Sequence, residues 1–279
     1  MPFEVVANVV AAGILTGMVY GLMALGLSVI FGVVRVVNFA HGEMMTIAMY
    51  AAVVLFAHWQ VDPFVAVLPV AALFFAFGYA MQAGLINPFI TRPEHSQFML
   101  LVAVAIIMIN VLLMVFGPSA RNVMVDYQLE SFELGVLLLD KARVYAALAA
   151  VATAAALFAF FRYTLVGKAI RACADNHLGA LVVGLHVKRY YALTFGLGSA
   201  CVAVAGCLMV LLVDVTPVLG PAYTLLAFVI VIVGGLGSMG GALLGGVLIG
   251  LSEALAGLYI APSAKSMFSF ALLIAVLLL

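Results

Sequence analysis

The sequence predicts an all-α fold, a polytopic bundle of transmembrane helices. Of its 279 residues, 68% are apolar and only 8% are charged, against roughly 45–50% and about 25% in soluble domains. Most of its charge-free windows reach the roughly 20 residues that a helix needs to cross about 30 Å of hydrocarbon. No run of about ten residues alternates polar with apolar side chains, as the strands of an outer-membrane barrel do. The charge-free windows are 5–34, 44–60, 63–91, 95–120, 144–161, 190–213, 215–252 and 266–279.

The distribution of charge predicts how the bundle is oriented. The segment 162–189 carries five Lys or Arg residues and a single acid, Asp175, so the positive-inside rule places it in the cytoplasm. Counting back along the chain places the acidic segment 116–143 outside, together with the start of the chain if the window 5–34 crosses once. Counted this way, the windows make eight or nine spans, and nine is favoured. No linker interrupts them, so we expect one transmembrane domain over 1–279.

A polar segment, 35–43, separates the first two apolar runs and is the first candidate for function. Polar side chains are costly in hydrocarbon, so those in this segment must face water, protein or a solute. In one interpretation they only serve helix ends, with Asn38 as a cap and Glu43 complementing the first turn of the next helix. In the other, a broken or re-entrant helix lines the translocation path, through Asn38, His41, Gly42 and Glu43. The length of the preceding run, 5–34, is the support for re-entrance.

Glycines predict both a turn and helix-packing faces. The window 215–252 is too long for one span, and its middle contains Gly234, Gly235, Gly237 and Gly241. We therefore expect a descending helix, a broken or re-entrant turn at 234–241 beside the path, and an ascending helix. Glycines four residues apart give a smooth helix face that a second helix can approach closely. This spacing occurs at Gly13, Gly17, Gly21, Gly246 and Gly250.

The basic segment contains a predicted amphipathic helix from about Lys168 to Val183. Its apolar residues recur at helical spacing, while charged residues occupy another face. Gly167 precedes the helix, and Gly184 is expected to end it. Such a helix lies in the membrane interface or docks into a groove of another protein. The apolar stripe comprises Ile170, Ala174, Leu178 and Leu181.

The sequence lacks the motifs of common enzyme chemistry. It contains no GxxxxGK[ST] phosphate-binding loop, no HExxH and no GxSxG, and its His and Cys residues lack metal-ligand spacing. The net charge is zero, which argues against binding of nucleic acid. We therefore expect no catalytic residues, no metal and no cofactor in this chain. Glu253, in an otherwise apolar helix, is either an interfacial carboxylate or a functional group at membrane depth.

Three stretches resemble one known family in their order and spacing. They are GLMALGLSVIFGVVRVVNFAHGEMMTIAMY at 21–50, GKAIRACADNHLGALVVGLHVKRYYALTFGLGSACVAVAGCL at 167–208 and AFVIVIVGGLGSMGGALLGGVLIGLSEAL at 227–255. The combination of NFAHGE, GKAIRA and GGLGSMGGALLGG is similar to the permease subunits of branched-chain amino acid ABC importers, particularly the LivH type. The resemblance covers nearly the whole chain and is least informative over 117–141.

The resemblance implies a multi-pass permease of the bacterial inner membrane that passes branched-chain or related apolar amino acids. Its implied partners are membrane lipid, a second, LivM-like permease, two cytoplasmic ABC ATPases that bind the ATP, and an extracytoplasmic substrate-binding protein. It also implies that the helix at about 167–184 is the ATPase-docking segment. The residues that match the docking motif, with the glycine that closes the segment, are Gly167, Lys168, Ala169, Arg171, Ala172 and Gly184.

Two functions of other classes stay open as alternatives. One is an ATP-independent secondary transporter or channel for a small polar solute, in which His41, Glu43 and Glu253 relay protons. The other is a structural membrane scaffold. Uptake that needs ATP rather than a proton gradient distinguishes an ABC permease from a secondary transporter. Uptake that depends on the glycine turn 234–241 distinguishes a permease from a structural scaffold.

Overall fold

The computed structural model describes residues 3–90, 92–135, 137–260 and 265–278 and is helical over most of this part of the chain, which confirms the predicted fold class. The helix at the centre is α1, which packs against α5, α8, α9 and α10. The helices are α1 (Phe3–Val34), α2 (His41–Trp59), α3 (Pro63–Ala80), α4 (Glu94–Phe116), α5 (Lys141–Tyr163), α6 (Leu165–Asp175), α7 (His177–Val182), α8 (Val187–Met209), α9 (Gly220–Gly234), α10 (Met239–Tyr259) and α11 (Lys265–Leu278).

Within the described residues, seven helices are long and apolar enough to cross a membrane. They are α1, α2, α3 with its π-helical and 3-10 extension to Phe89, α4, α5, α8 and α10. The apolar helices α9 and α11 are shorter than a full span. The count of eight or nine spans therefore stays a prediction.

The packing of α1 on α10 depends on glycines in both helices. A Cβ atom on Gly17 would lie 2.7 Å from the carbonyl oxygen of Gly246, and one on Gly13 would lie 2.9 Å from that of Gly250. A Cβ atom on Gly246 would collide with the backbone of Gly21. The two backbones therefore approach more closely than any residue with a side chain permits.

A close contact between two glycines also joins α1 to α8. The spacing of the glycines in the sequence did not predict this contact. A Cβ atom on Gly26 would lie 2.6 Å from the carbonyl oxygen of Gly198, and the reverse distance is also 2.6 Å. Both helices contain other glycines, but neither Gly26 nor Gly198 has a glycine four residues away. Only the structure shows that they face each other.

The predicted amphipathic helix is wrong in one respect, because two helices, α6 and α7, replace it. The chain between them is extended at Asn176 (φ −146°, ψ 96°), and the Asn176 side chain accepts a hydrogen bond from Gly179 N at 2.8 Å. This bond caps the start of α7 and so favours a second helix over continuation of the first. Gly184, with φ +84°, follows α7 in the left-handed region, as expected of a terminating glycine.

The segment between α4 and α5 contains a small β-hairpin that the sequence did not predict. Strand β1 (Ser131–Leu134) pairs antiparallel with β2 (Leu137–Asp140), and the Asn8 side chain of α1 accepts from Leu138 N at 2.7 Å. Nearby, the Tyr127 hydroxyl donates to Asp62, the residue that caps α3, at 3.0 Å. Burial, followed by the hydrogen bond to the Asp62 carboxylate, raises the pKa of Tyr127. The segment between α4 and α5 is therefore hydrogen-bonded to the ends of α1 and α3.

Gly246→Ala is expected to destabilise the protein, because the added methyl group would push the backbones of α1 and α10 apart. Overpacking of this kind costs about 1–3 kcal/mol, which lowers the Tm by several degrees. Gly240→Ala on the same helix is the matched control, since a Cβ atom there meets nothing within 4 Å. Thermal unfolding of both variants in detergent measures the difference, and equal Tm values would contradict the packing described for the two helices.

Candidate functional site

The junction between α1 and α2 doubles back along α1. The helix α1 runs without interruption to Val34, so the expectation that part of this run is re-entrant is wrong. Arg35, with φ +58°, ends the helix in the left-handed region. The next helix begins at His41, whose Nε2 lies 2.9 Å from Met23 O. Because Met23 lies about 16 Å from Val34 at 1.5 Å per residue, residues 35–40 must return into the bundle before α2 starts. It is this segment that is re-entrant.

The first turn of α2 is hydrogen-bonded to α9. The backbone N–H of Gly42 donates to Thr224 Oγ1 at 2.9 Å, and the same hydroxyl donates to Glu43 Oε2 at 3.0 Å. The first-turn N–H groups of a helix have no partner within the helix, so Thr224 satisfies one that would otherwise be orphaned inside the protein. One hydroxyl thus holds both the backbone and the carboxylate of α2.

Two glycines permit this contact. A Cβ atom on Gly42 would collide with Gly220 O, and one on Gly220 would lie 3.0 Å from the Cα of Glu43. Gly220 is the first residue of α9, so the start of α9 meets the start of α2. Sequence reasoning missed Gly220 and Thr224. A hydroxyl in the otherwise apolar α9 was the available signal, but nothing local indicates its partner.

Apart from Arg35, which is exposed, the polar side chains of 35–43 are buried in protein. Asn38 and His41 are fully buried, and Glu43 is 2% exposed. Asn38 Oδ1 accepts from Ala40 N at 3.1 Å, so it fixes the turn before α2, and the expectation that Asn38 caps the helix itself is wrong. Glu43 lies in the first turn of α2, where a carboxylate complements the helix dipole. A carbonyl oxygen only accepts, so His41 donates from Nε2 to Met23 O. Within the described residues, the His41 Nδ1 has no hydrogen-bond partner.

An aromatic cluster contributes Phe39 and Phe98 to the wall of a cavity at the end of α1. The Phe39 ring lies 4.6 Å from that of Phe98 and 5.1 Å from that of Phe228, measured between centroids. The cavity has a volume of about 1130 Å³. Its lining includes Arg35, His95, Asp175 of α6 and Gly237. The re-entrant segment 35–40, the basic segment 162–189 and the glycine turn 234–241 therefore line the same cavity.

Among the glycines of the predicted turn, Gly237 lines this cavity, whereas Gly234 and Gly241 pack α9 against α10. Gly235 and Gly237 have φ of +91° and +80°, which glycine adopts without strain. Gly237 lines the cavity and packs against Gly32. Gly234 and Gly241 lie against each other, and a Cβ atom on either would collide with the other's backbone. The turn is thus held between α1 and α10.

The residues of the basic segment 162–189 differ in exposure. Lys168, Arg171 and Ala172 are exposed, whereas Ala169 is half-buried and Gly167 is buried against the backbone of Phe161. An exposed apolar surface of this segment lies on α7 and just beyond it, where Val182 is 86% exposed. This surface, called the α7 patch below, consists of Leu178, Leu181, Val182 and Val183. Two of its four residues, Val182 and Val183, were not in the predicted apolar stripe.

No group of three or more His, Cys, Asp or Glu residues among the described positions could hold a metal ion. What the junction offers instead is a set of hydrogen bonds between helices and an aromatic cluster beside a cavity. These features can position helices and shape a passage.

Comparisons with known proteins place the chain in a family. The model of the family described as "Branched-chain amino acid transport system / permease component" matches residues 9–277. The permease LivH of a high-affinity branched-chain amino acid transport system is 31% identical in both Salmonella typhimurium and Escherichia coli K12, over 95% of this chain and 91% of the relative. The permease BraD of Pseudomonas aeruginosa is 29% identical over the same shares.

One solved structure, PsaBC from Streptococcus pneumoniae in complex with Fab, aligns with 95% of this chain and 90% of its own, at 12% identity and a TM-score of 0.47. The family match over almost the entire chain and the two relatives at 31% identity agree with the helical bundle described above. This chain belongs to the permease family of branched-chain amino acid transport systems.

Proposed function

We propose that this permease passes branched-chain or related apolar amino acids across the inner membrane, driven by partner ATPases. The observation that carries the proposal is the similarity over 95% of the chain to permeases of high-affinity branched-chain amino acid systems. The chain has no phosphate-binding loop of its own, so ATP is bound by the partner subunits. We expect this chain to have no catalytic activity and no cofactor.

The proposed partners are a second, LivM-like permease, two cytoplasmic ABC ATPases, an extracytoplasmic substrate-binding protein and membrane lipid. Support for ATPase docking comes from the segment 165–184. It presents the exposed cations Lys168 and Arg171 on α6 and the exposed α7 patch on the next helix. An apolar surface with a charged rim is typical of a protein interface. Because Gly167 is buried against the backbone of α5, we expect it to contribute to docking only by positioning α6 against α5.

We assign the polar residues of 35–43 a positioning role in translocation. Asn38, His41, Gly42 and Glu43 hold the start of α2 through bonds to neighbouring backbone, to α1 and to α9. Gly234, Gly235, Gly237 and Gly241 hold the turn on the other side of the cavity. These residues therefore shape the passage, and a solute meets them only if the helices separate.

Docking of the ATPases is tested by two charge changes in the segment 165–184. Arg171→Glu reverses an exposed cation, and Val182→Asp places a charge in the centre of the α7 patch. Both are expected to reduce co-purification of the ATPases at least several-fold while the permease still inserts, because a charge buried at an interface without a partner is costly. Quantitative immunoblotting of the purified complex measures the loss.

The matched controls lie at the other end of the molecule. Arg121→Glu and Val218→Asp make the same changes at exposed positions in the outer loops. They should leave the amount of bound ATPase unchanged. Equal co-purification in all four variants would show that the ATPases dock elsewhere.

The energy source tests the proposed function itself. Proteoliposomes that contain the assembled complex and its binding protein are expected to accumulate tritiated L-leucine only with ATP on the ATPase side. A non-hydrolysable ATP analogue is the control, and an imposed proton gradient without ATP should give no uptake. Uptake driven by the proton gradient alone would overturn the proposal in favour of an ATP-independent transporter.

A further inference from the structure

A second cavity lies at the hairpin end of the bundle, opposite the junction of α1 and α2. It is lined by α1, α5, α10, the end of α8 and the residues just after α8, and it has a volume of about 460 Å³, which is within the range of small-molecule sites. Two groups of opposite charge line it, Glu253 of α10 and Arg143 of α5. Neither the junction of α1 and α2 nor the basic segment 162–189 contributes to its lining. Its apolar walls include Val9, Ala12, Met209, Leu212, Val213 and Leu258.

The Glu253 carboxylate is held in a fixed orientation. Its Oε1 accepts a hydrogen bond from Ser269 Oγ of α11 at 2.7 Å, and the Tyr20 hydroxyl of α1 also interacts with it. Helix side chains lean toward the N-terminus of their own helix. The antiparallel helices α1 and α10 therefore bring Tyr20 and Glu253 toward each other. The result is a carboxylate positioned by two hydroxyls at the wall of the cavity.

Arg143 lies at the start of α5, directly after the hairpin. Its Nε is 3.5 Å from Asp140 Oδ2, a loose ion pair. Asp140 also caps α5, because its Oδ1 accepts from Ala142 N at 3.0 Å. A guanidinium has five N–H donors, and a single contact of 3.5 Å leaves most of them for another acceptor. The planar guanidinium matches a carboxylate in bidentate geometry.

We propose that this cavity binds an apolar amino acid as its zwitterion, with the solute carboxylate on Arg143, the ammonium on Glu253 and the side chain against Met209, Leu212 and Val213. The inference rests on the proposed function, which supplies the class of solute, and it adds a binding site in the permease itself. A solute without charged groups would leave both groups unpaired, and a solute with a single charge would leave one of them unpaired. A carbohydrate, a fatty acid or an amine therefore fits less well than an amino acid.

Equilibrium binding of tritiated L-leucine to the assembled permease–ATPase complex, in phosphatidylcholine nanodiscs without its binding protein, tests the site. Glu253→Gln and Arg143→Gln should each raise the Kd for leucine by about 10- to 100-fold, because each removes a hydrogen bond to a charged group. Glu133→Gln and Arg121→Gln make the same changes at exposed outer positions and should alter the Kd by less than about twofold. Gln keeps an oxygen for the Ser269 hydroxyl, and thermal unfolding confirms that the variants are folded.

Analogues that lack one charge show which group binds which end of the solute. Leucinamide lacks the carboxylate, and 4-methylpentanoate lacks the ammonium. The ratio of the Kd for leucine to that for leucinamide should move toward one in Arg143→Gln. The ratio of the Kd for leucine to that for 4-methylpentanoate should move toward one in Glu253→Gln. This reciprocal pattern is not expected of a purely structural role for either residue.

Three results would overturn the inference. The complex could bind no leucine, it could bind leucine equally in all four variants, or the site could prefer a lipid head group. The last is seen as displacement of leucine when phosphatidylethanolamine, which also carries an ammonium and an anionic group, is added to the nanodiscs. ATP-driven leucine uptake alongside any of these results would leave the proposed function standing. Absence of ATP-driven uptake would instead defeat the proposed function.

Discussion

The start of α2 lies inside an apolar bundle, and its unpaired backbone groups must find partners there. The N–H of Gly42 finds Thr224 Oγ1 at 2.9 Å, and Thr224 in turn donates to Glu43. No water is available in hydrocarbon to replace such a bond. The contact requires α9 to approach α2 at two glycines, Gly42 and Gly220. The re-entrant course of 35–40 and the position of α9 both depend on this arrangement.

The cavity beside the junction is also lined by the basic segment 162–189. Ala174 and Asp175 of α6 line the same cavity as Arg35 and Gly237. On the proposed function, an ATPase that moves α6 and α7 acts directly on the walls of this cavity. Packed helices move as rigid bodies between discrete arrangements. The close glycine contacts of α1 with α8 and α10 then carry that motion as displacement of whole helices rather than as local deformation.

The sequence predicted those features that depend on local composition. Charge-free windows predicted the helical bundle, and the glycines at 234–241 predicted the turn between α9 and α10. Local sequence patterns failed to predict contacts between residues that are distant in the chain. Thr224 is 182 positions from Gly42, and nothing near either residue indicates the pairing. The break at Asn176 was missed because the hydrogen bond that its side chain accepts from Gly179 N outweighed a continuous apolar stripe. The hairpin at 131–140 was missed because the outer segment gave no clear periodicity.

A double-mutant cycle on the free energy of unfolding tests the Thr224–Glu43 interaction most directly. Thr224→Val and Glu43→Met remove its two partners at similar volume, and the double variant completes the cycle. If this hydrogen bond holds α2 to α9, the single effects are non-additive, with a coupling of about 1–3 kcal/mol. Effects that add to within about 0.5 kcal/mol would show that the two residues act independently, and would contradict the role of this hydrogen bond in holding the re-entrant junction.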